Sequence, residues 1–558
     1  MTKEYKIKNS SGIIPIEAGY GLVYTDTIVA TTTDRLIIDS QPSARIELEA
    51  GGKTSSGSIA ELALSPGIHD VLLKVSENNE VTETKSIKLL IADPSGIVRK
   101  FGARYGSLEY DHPVVIGKGG RTAPWESLWK TCEISDIVVD FDLSYKFVLW
   151  RGMSYAPSWA ADNVMTSLFF AETLEPGVYR DCCEMMSDRE CRYSHARIIQ
   201  NTDARVVIHW RYALSDSAYA ICRDQWVDEM YYIYPDGIVC RNVTVYIDPH
   251  DEKAWKDCAG TGKRLPNSLI GVNNGGRSFN HTEFISVNPA GMTPDESLMP
   301  GAMTLMDSEN FSEIYTWPSP PDFQKTPLPK LNEYIFRINY QDRQDVFVAS
   351  HKENMVLSLN PNMGAIYEAG ARVEEDNWRF DVPTVNSSIF GSFSHWPVTR
   401  GYGTTALTDA ASFSDRPTHT FLGAANNAPI DVSENGAATW VWLTGIVPEN
   451  EGKLRGKVKA WTRPVDIAGA KYNFRQRAYE IENAAGEIEI KINSGSEIVQ
   501  PSFILKSWES VGISVLENGI RLSEDAISVG IERYMDKFQT IVTFRKDLQP
   551  GSSVLFKK

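Results

Sequence analysis

Positive charge is scarce in this chain of 558 residues, because 56 Lys and Arg stand against 72 Asp and Glu. The formal net charge of −16 argues against binding nucleic acid, which depends on clustered basic side chains that neutralise phosphates. Long apolar runs are also lacking, since no stretch approaches the ~20 apolar residues that a membrane-spanning helix needs. Neither nucleic acid nor a membrane is therefore expected as a partner.

Cysteine is infrequent, and the seven cysteines are an odd number that cannot pair completely within one chain. They show no repeated C-x-x-C pair with downstream ligands, so free thiols are expected rather than a structural zinc site. We expect no metal and no other cofactor. All seven lie in the middle of the chain: Cys132, Cys182, Cys183, Cys191, Cys222, Cys240 and Cys258.

The sequence after Met1 has neither the apolar core nor the small-residue cleavage site of an export signal. As it stands, it therefore predicts a cytoplasmic protein. If a signal has been removed, a periplasmic or secreted protein is expected instead.

Short runs rich in Val, Ile, Thr and Tyr recur along the chain, separated by Gly, Pro, Asn and Asp, whereas helical periodicity is rare. This pattern predicts an all-β protein, and the length predicts several domains. We expect a large central antiparallel β-sandwich of the supersandwich type at residues 96–445, with smaller Ig-like β-sandwich domains at 1–95 and 446–558. The central range contains every cysteine and every histidine except His69, so chemistry is expected there.

A hairpin is predicted between Arg192 and Tyr212, where two strand-like runs flank the polar turn 201–203. Pairing Gln200 with Ala204 sets the register of the two strands. Side chains alternate across a strand, so one face of this hairpin is expected to be polar and the other mainly apolar. The expected apolar face consists of Ser194, Ala196, Ile198, Val206, Ile208, Trp210 and Tyr212.

On the polar face, this register places His195 opposite His209 and Tyr193 opposite Arg211, with Arg197 beside them. Two imidazoles ringed by guanidinium groups are typical of the floor of a cleft. The alternative is that these side chains form structural ion pairs with neighbouring carboxylates.

A second hairpin is predicted at residues 228–246, with Asp-Gly in its turn. Pairing Tyr234 with Val239 places Tyr232 opposite Arg241. The guanidinium would then favour a phenolate and make Tyr232 usable as a proton shuttle, although simple stacking of the two side chains explains the pair equally well.

Three further segments mix aromatic side chains with polar donors: residues 150–159, 280–284 and 394–402. Aromatic faces stack on sugar rings, and the arginine fork matches a carboxylate, although each aromatic could equally belong to the core. The candidate substrate-binding residues are Arg151, Tyr155, Arg197, Arg211, Arg241, His281, His395 and Trp396.

This combination of His, Tyr and Arg suits β-elimination from a uronic acid. The enzyme must neutralise the C6 carboxylate, remove the weakly acidic C5 proton and protonate the departing C4 oxygen. Arginine fills the first role, His195 or His209 the second and Tyr232 the third, and Tyr193 is a further candidate for proton transfer.

Four short motifs accompany the first hairpin: FVLWRGMSY at 147–155, MSDRECRYSH at 186–195, YPDG at 234–237 and SHWPV at 394–398. In these segments the chain resembles bacterial polysaccharide-utilisation proteins similar to polysaccharide lyases and oligosaccharide dehydratases of ulvan-type polymers. The resemblance covers residues 100–430. It implies a carbon-oxygen lyase that converts a glucuronate-containing poly- or oligosaccharide to a 4,5-unsaturated uronate, by glycosidic cleavage or by loss of water.

Two alternatives stay open. A glycoside hydrolase needs two carboxylic acids that flank the scissile bond, and Glu172, Glu184, Glu229 and Glu283 are available for that role. A noncatalytic carbohydrate-binding protein would explain the aromatic residues and the terminal sandwiches, but not the paired histidines.

Overall fold

The computed structural model describes the chain in segments separated by gaps. The described residues are 2–6, 12–16, 21–30, 34–41, 45–57, 59–64, 67–76, 85–92, 101–106, 136–142, 145–151, 154–161, 164–174, 183–188, 191–216, 218–246, 278–288, 297–316, 329, 331–341, 343–350, 418–425, 430–434, 437–448, 450–482, 484, 486–492, 495, 497–508, 513–534 and 537–558.

The strands before residue 93 form two sheets, with orders β1-β3-β8-β5-β6 and β2-β9-β4-β7. β1 and β3 pair in parallel, and the other described pairs of these sheets are antiparallel. The bounds are β1 Thr2–Lys6, β2 Gly12–Ile16, β3 Gly21–Ala30, β4 Asp34–Gln41, β5 Arg45–Ala50, β6 Lys53–Gly57, β7 Ile59–Leu64, β8 Gly67–Ser76 and β9 Lys85–Ala92.

The strands between residues 102 and 446 form two larger sheets. The first has the order β10-β11-β12-β13-β14-β19-β24, and the second has the order β15-β16-β17-β18-β26-β23-β22-β20-β21, with β25 paired to β26. The bounds are β10 Gly102–Gly106, β11 Asp136–Asp140, β12 Lys146–Trp150, β13 Ala156–Ala161, β14 Val164–Leu174, β15 His195–Asn201, β16 Val206–Ser215, β17 Ile221–Ile233, β18 Ile238–Tyr246, β19 Ser278–Asn288, β20 Leu298–Met306, β21 Ser312–Tyr315, β22 Tyr334–Tyr340, β23 Val346–Ser350, β24 Thr418–Ala425, β25 Asp431–Val432 and β26 Ala437–Ile446.

Helix α1 follows, and the C-terminal strands then form two sheets with orders β27-β28-β30-β34-β33 and β29-β35-β31-β32. The bounds are α1 Glu451–Thr462, β27 Lys471–Asn473, β28 Ala478–Ile481, β29 Glu487–Lys491, β30 Ser502–Lys506, β31 Ser514–Glu517, β32 Ile520–Arg521, β33 Ile527–Tyr534, β34 Lys537–Phe544 and β35 Ser553–Lys557.

The core of the central sandwich lies between its two sheets, where apolar side chains of β11–β13 share one buried cluster with those of β16–β18 and β26. Strand alternation explains which residues enter it. In β16, Ile208, Trp210 and Tyr212 are buried, whereas His209 and Arg211 between them point to the other face and are half-buried. The mainly apolar face predicted for the first hairpin is therefore confirmed.

The outer face of the larger sheet is covered in its middle by α1. Asn450 caps this helix by accepting a hydrogen bond from the Gly452 backbone N–H at 2.7 Å. Leu454, Val458 and Trp461 of α1 then pack into a buried apolar cluster with β18, β22, β23 and β26. The polar residues of β15 and β16 lie on the same outer face, toward its β15 edge.

The described residues thus form an all-β, multidomain structure built on sandwiches, which confirms the predicted fold class. Each sheet takes its strands from one of three parts of the chain, 2–92, 102–446 or 471–557. The division at residues 95 and 445 stays a prediction. Within the described segments, no helix has both the length and the apolar character needed to cross a membrane.

Candidate functional site

The predicted register of the first hairpin is wrong by two residues. His195 pairs with Arg211, and Arg197 pairs with His209, so the two histidines do not face each other. The turn is tighter than expected because the Thr202 hydroxyl accepts the backbone N–H groups of Ala204 and Arg205, at 3.3 and 3.1 Å. A bulge between Ile198 and Gln200 then absorbs one residue of β15.

Because the shift is an even number of residues, the side chains keep the face that was predicted for them. His195, Arg197, His209 and Arg211 lie together on the outer face of the larger sheet. His195 and Arg197 are exposed on the edge strand β15, and His209 is half-buried on β16.

Asp228 of β17 joins two of these side chains. One carboxylate oxygen lies 2.7 Å from His209 Nε2, and the other accepts a hydrogen bond from Arg211 Nη1. Burial alone would raise the pKa of Asp228, but the hydrogen bond with His209 and the charge of Arg211 outweigh it, so this pKa lies below its usual value. Asp228 is therefore ionised at neutral pH.

The ionised carboxylate decides the tautomer of His209. A carboxylate without a proton only accepts hydrogen bonds, so His209 Nε2 must carry the proton that they share. In the neutral ring the lone pair is then on Nδ1, which makes no hydrogen bond to any residue of the described segments. Asp228 thus presents His209 as a base of fixed orientation.

Three aromatic side chains stand in a row between two arginines beside this group, and we call this row the ladder: Arg192, Tyr219, Tyr193, Trp226 and Arg211. The Arg192 guanidinium lies 4.0 Å from the Tyr219 ring centroid, and Arg211 lies 4.9 Å from that of Trp226. Tyr193 packs edge-on between the two rings, at 6.4 Å from Tyr219 and 6.1 Å from Trp226. Arg211 therefore belongs both to the ladder and to the His209 group.

The predicted pairing of Tyr232 with Arg241 is wrong. Tyr232 pairs with Cys240, and Tyr231 pairs with Arg241. The turn contains three residues rather than two, because Tyr234 pairs with Ile238 and Gly237 adopts a φ of +74°. This shift by one residue places Arg241 on the opposite face of the sheet from Tyr232.

Arg241 lies in the sandwich core, fully buried, and forks onto Glu229 with two hydrogen bonds of 2.6 Å. The hydroxyls of Tyr212 and Tyr231 donate to the same carboxylate. Burial raises the pKa of both tyrosines well above its usual value, and the charge of Glu229 adds to this effect. These four side chains therefore lie in the core, away from the outer face that carries His209.

Tyr232 itself lies on the outer face, half-buried, with the Arg205 guanidinium 5.1 Å from its ring centroid. It packs against the apolar clusters that join the central sheet to α1 and to the C-terminal strands. Along β17 it is two residues from Met230, the partner of His209. Tyr232 and Arg211 therefore lie on either side of His209 along the strand direction.

Arg151 and Tyr155 lie in the other sheet's connection β12–β13, where both are buried. Arg151 donates its backbone N–H to Asp136 at 2.7 Å, and its guanidinium lies 5.8 Å from the Tyr155 ring centroid. Its charge also acts on Asp188, whose pKa is raised mainly by burial. Asp188 in turn accepts the backbone N–H groups of residues 192–194 and so fixes the start of β15. These two predicted binding residues therefore belong to the other sheet and do not lie on the outer face with His209.

Three predicted binding residues lie outside what the structure describes. His281 falls in β19, where its side chain is not among the described ones, and His395 and Trp396 fall between the described segments ending at 350 and beginning at 418. Of the four glutamates considered for hydrolysis, Glu172, Glu184 and Glu229 are buried. Within the described residues, no three His, Cys, Asp or Glu side chains form a group that could hold a metal ion.

Sequence reasoning missed Asp228 and most of the ladder, namely Trp226, Tyr219 and Arg192. A signal was present: in β17, Trp226, Asp228, Met230 and Tyr232 alternate with buried residues, so they share one face. Their relation to His209 depends on the pairing of β16 with β17, which the hairpin turns alone do not reveal.

No family model matches this chain, and no curated protein is significantly similar to it. Among solved structures, galactose 1-epimerase from Lactobacillus acidophilus NCFM matches with a TM-score of 0.22 and 7% sequence identity. The match covers 56% of this chain and 93% of that chain. A likeness at this TM-score carries no argument about fold or function.

Proposed function

We propose that this chain is a carbon-oxygen lyase that acts by β-elimination on glucuronate-containing oligosaccharides. The observation that carries the proposal is the pair of His209 and Asp228, which presents the lone pair of Nδ1 on an arginine-rich face. Arg197 stands directly across from His209, and cross-strand partners have Cβ atoms about 5 Å apart. A uronate bound by Arg197 would therefore lie beside the base.

The reaction that we propose needs no co-reactant. His209 Nδ1 takes the C5 proton, and the electron pair of the C5–H bond forms the C4=C5 double bond. The C4–O bond breaks, and its electron pair leaves with the oxygen, which receives a proton from the Tyr232 hydroxyl. Proton exchange with water returns His209 and Tyr232 to their starting states.

Charged side chains lie beside both His209, the proposed base, and Tyr232, the proposed acid. Arg197 and His195 are exposed on β15 and are assigned to the C6 carboxylate, whose neutralisation makes the C5 proton more acidic. Arg205 lies against the ring of Tyr232, the proposed proton donor. Asp228 stabilises the imidazolium that forms on His209.

Ultraviolet absorbance of the unsaturated uronate tests the proposal, with mass spectrometry to separate loss of water from glycosidic cleavage. We expect turnover of a glucuronate-ended oligosaccharide and a loss of ~10² to 10⁴-fold in rate for His209→Ala. Arg197→Lys keeps the charge but removes the fork and should raise KM. Equal activity on neutral and acidic oligosaccharides, or an unchanged rate for His209→Ala, would contradict the scheme.

A noncatalytic carbohydrate-binding protein is the second candidate, because the ladder offers aromatic and cationic surface without requiring a base. Binding of acidic oligosaccharides without any product would select this function. Products without ultraviolet absorbance would instead indicate a glycoside hydrolase.

A further inference from the structure

The ladder extends away from His209 and is held in place by backbone contacts. The Asp188 carboxylate accepts the backbone N–H groups of Arg192 and Tyr193, at 2.8 and 2.7 Å. The Tyr193 hydroxyl donates to the Tyr219 carbonyl oxygen at 3.2 Å. The backbone of Arg192 and Tyr193 and the ring of Tyr193 are thus held in place without a ligand.

The turn between β16 and β17 holds Tyr219 in a conformation that a tyrosine rarely adopts, with a φ of +63°. The Asp216 carboxylate stabilises this turn by accepting the backbone N–H groups of Ala218 and Ala220, both at 2.9 Å. The Tyr219 N–H also donates to the Asp216 carbonyl at 2.8 Å. This turn is what carries the Tyr219 ring to Arg192.

The charge of the ladder is opposite to that of the whole chain. Arg192 and Arg211 terminate it, and Arg197 lies next to it, in a protein with a net charge of −16. A guanidinium that lies against a ring keeps its N–H donors in its own plane, at the edge of the stack, where they can fork onto a carboxylate or a sulfate. The neighbouring ring surface suits the apolar face of a sugar.

We infer that the ladder is a second sugar subsite, which binds the next unit of an acidic oligosaccharide through a carboxylate or sulfate group. This inference rests on the proposed function for placing the reacting uronate at His209. Arg211 connects the two subsites, because it bonds to Asp228 and lies against Trp226. An oligosaccharide that spans both subsites therefore binds more tightly than one that fills only the first.

Titration calorimetry on the His209→Asn background tests this without turnover, with glucuronate and a glucuronate-containing tetrasaccharide as probes. Arg192→Gln should weaken binding of the tetrasaccharide about tenfold and leave the binding of glucuronate unchanged. Arg192→Lys should bind the tetrasaccharide little better than Arg192→Gln does, since lysine also lacks the fork. Arg521→Gln, which removes an exposed charge from β32 of the C-terminal sandwich, is the matched control and should change neither affinity.

Sulfated and desulfated tetrasaccharides distinguish the two anionic groups. A loss that is equal for both lengths, or no loss for Arg192→Gln, would overturn the second subsite even if the wild-type chain forms unsaturated product. Conversely, a length-dependent effect of Arg192→Gln in a chain that forms no product would retain the subsite and reject the lyase. Circular dichroism of each variant shows whether it is folded.

Discussion

Arg205, at the tip of the first hairpin, is bound in a fork by Glu532 of the C-terminal strand β33. The two hydrogen bonds measure 2.7 and 2.6 Å, and the exposed fractions of the two side chains are 3% and 1%. Gln200, beside the bulge of β15, donates to the Arg533 carbonyl at 2.6 Å. The C-terminal sandwich therefore holds the hairpin that carries Arg197 and His209.

Removal of one partner from this buried pair leaves the other charge buried alone, so Glu532→Gln should lower the free energy of unfolding by about 3 to 5 kcal/mol. Denaturant unfolding measures this change. The control is Glu487→Gln, which removes an exposed pair with Lys557 at 3.6 Å and should cost less than about 1 kcal/mol. Similar losses for the two variants would show that the fork does not stabilise the hairpin.

The two hairpins could be read from the sequence, but the registers of their strands could not. Alternation predicted that His195 and Arg197 of β15 share a face with His209 of β16, and the observed register keeps this arrangement because the shift is even. The shift by one at the second hairpin exchanged Tyr232 for Tyr231 opposite Arg241. A single additional turn residue, with Gly237 at positive φ, was enough to move an expected binding arginine into the core.

The candidate site was only partly predictable for a related reason. Its histidines and arginines lie within one hairpin, where local sequence sets the geometry. Asp228 enters through the pairing of β16 with β17, and the contact of Arg205 with Glu532 joins residues 327 positions apart. Contacts of that kind depend on the packing of whole sheets and domains, which local propensity does not determine.

The role of Asp228 gives a prediction about activity. Asp228→Asn keeps the shape of the side chain but removes the charge that holds the proton on His209 Nε2, so the base no longer has a fixed tautomer. We expect a fall of ~10² to 10⁴-fold in the rate of formation of unsaturated product. Nitrogen chemical shifts of His209 report the tautomer independently. If the tautomer changes but the rate does not, the tautomer that Asp228 fixes does not contribute to catalysis.

Asp236 in the turn of the second hairpin predicts a dependence of stability on pH. Its side chain is 10% exposed and bonds to Arg477 at 2.7 Å and to Lys457 at 2.8 Å. Burial alone would raise its pKa, but these two charges outweigh it, and the pKa lies well below its usual value. The stabilisation is therefore complete above the unfolded-state pKa of about 3.9 and is lost as the pH falls through the lower folded-state pKa.

The thermal midpoints of the wild type and Asp236→Asn should accordingly differ most near neutral pH and converge as the pH drops below about 4. Asp431→Asn is the control, because Asp431 is 58% exposed and its pair with Arg475 spans 3.5 Å. Its difference from the wild type should stay small at every pH. A difference for Asp236→Asn that persists unchanged into acid would show that the lost ion pairs are not its cause.

Tyr232→Phe separates proton donation from binding. The substitution removes only the hydroxyl, and the ring can still pack against Arg205 and the apolar clusters around it, so the fold should be retained. If Tyr232 protonates the leaving oxygen, kcat should fall by ~10² to 10⁴-fold while KM changes little. The loss should be smaller for a synthetic substrate whose C4 leaving group is acidic, because such a group departs without a proton.

Tyr193→Phe is the matched control, since Tyr193 donates to the Tyr219 carbonyl and lies on the other side of His195 from His209. A loss of kcat in Tyr193→Phe that disappears with the acidic leaving group, together with normal kinetics of Tyr232→Phe, would transfer the role of the acid to Tyr193.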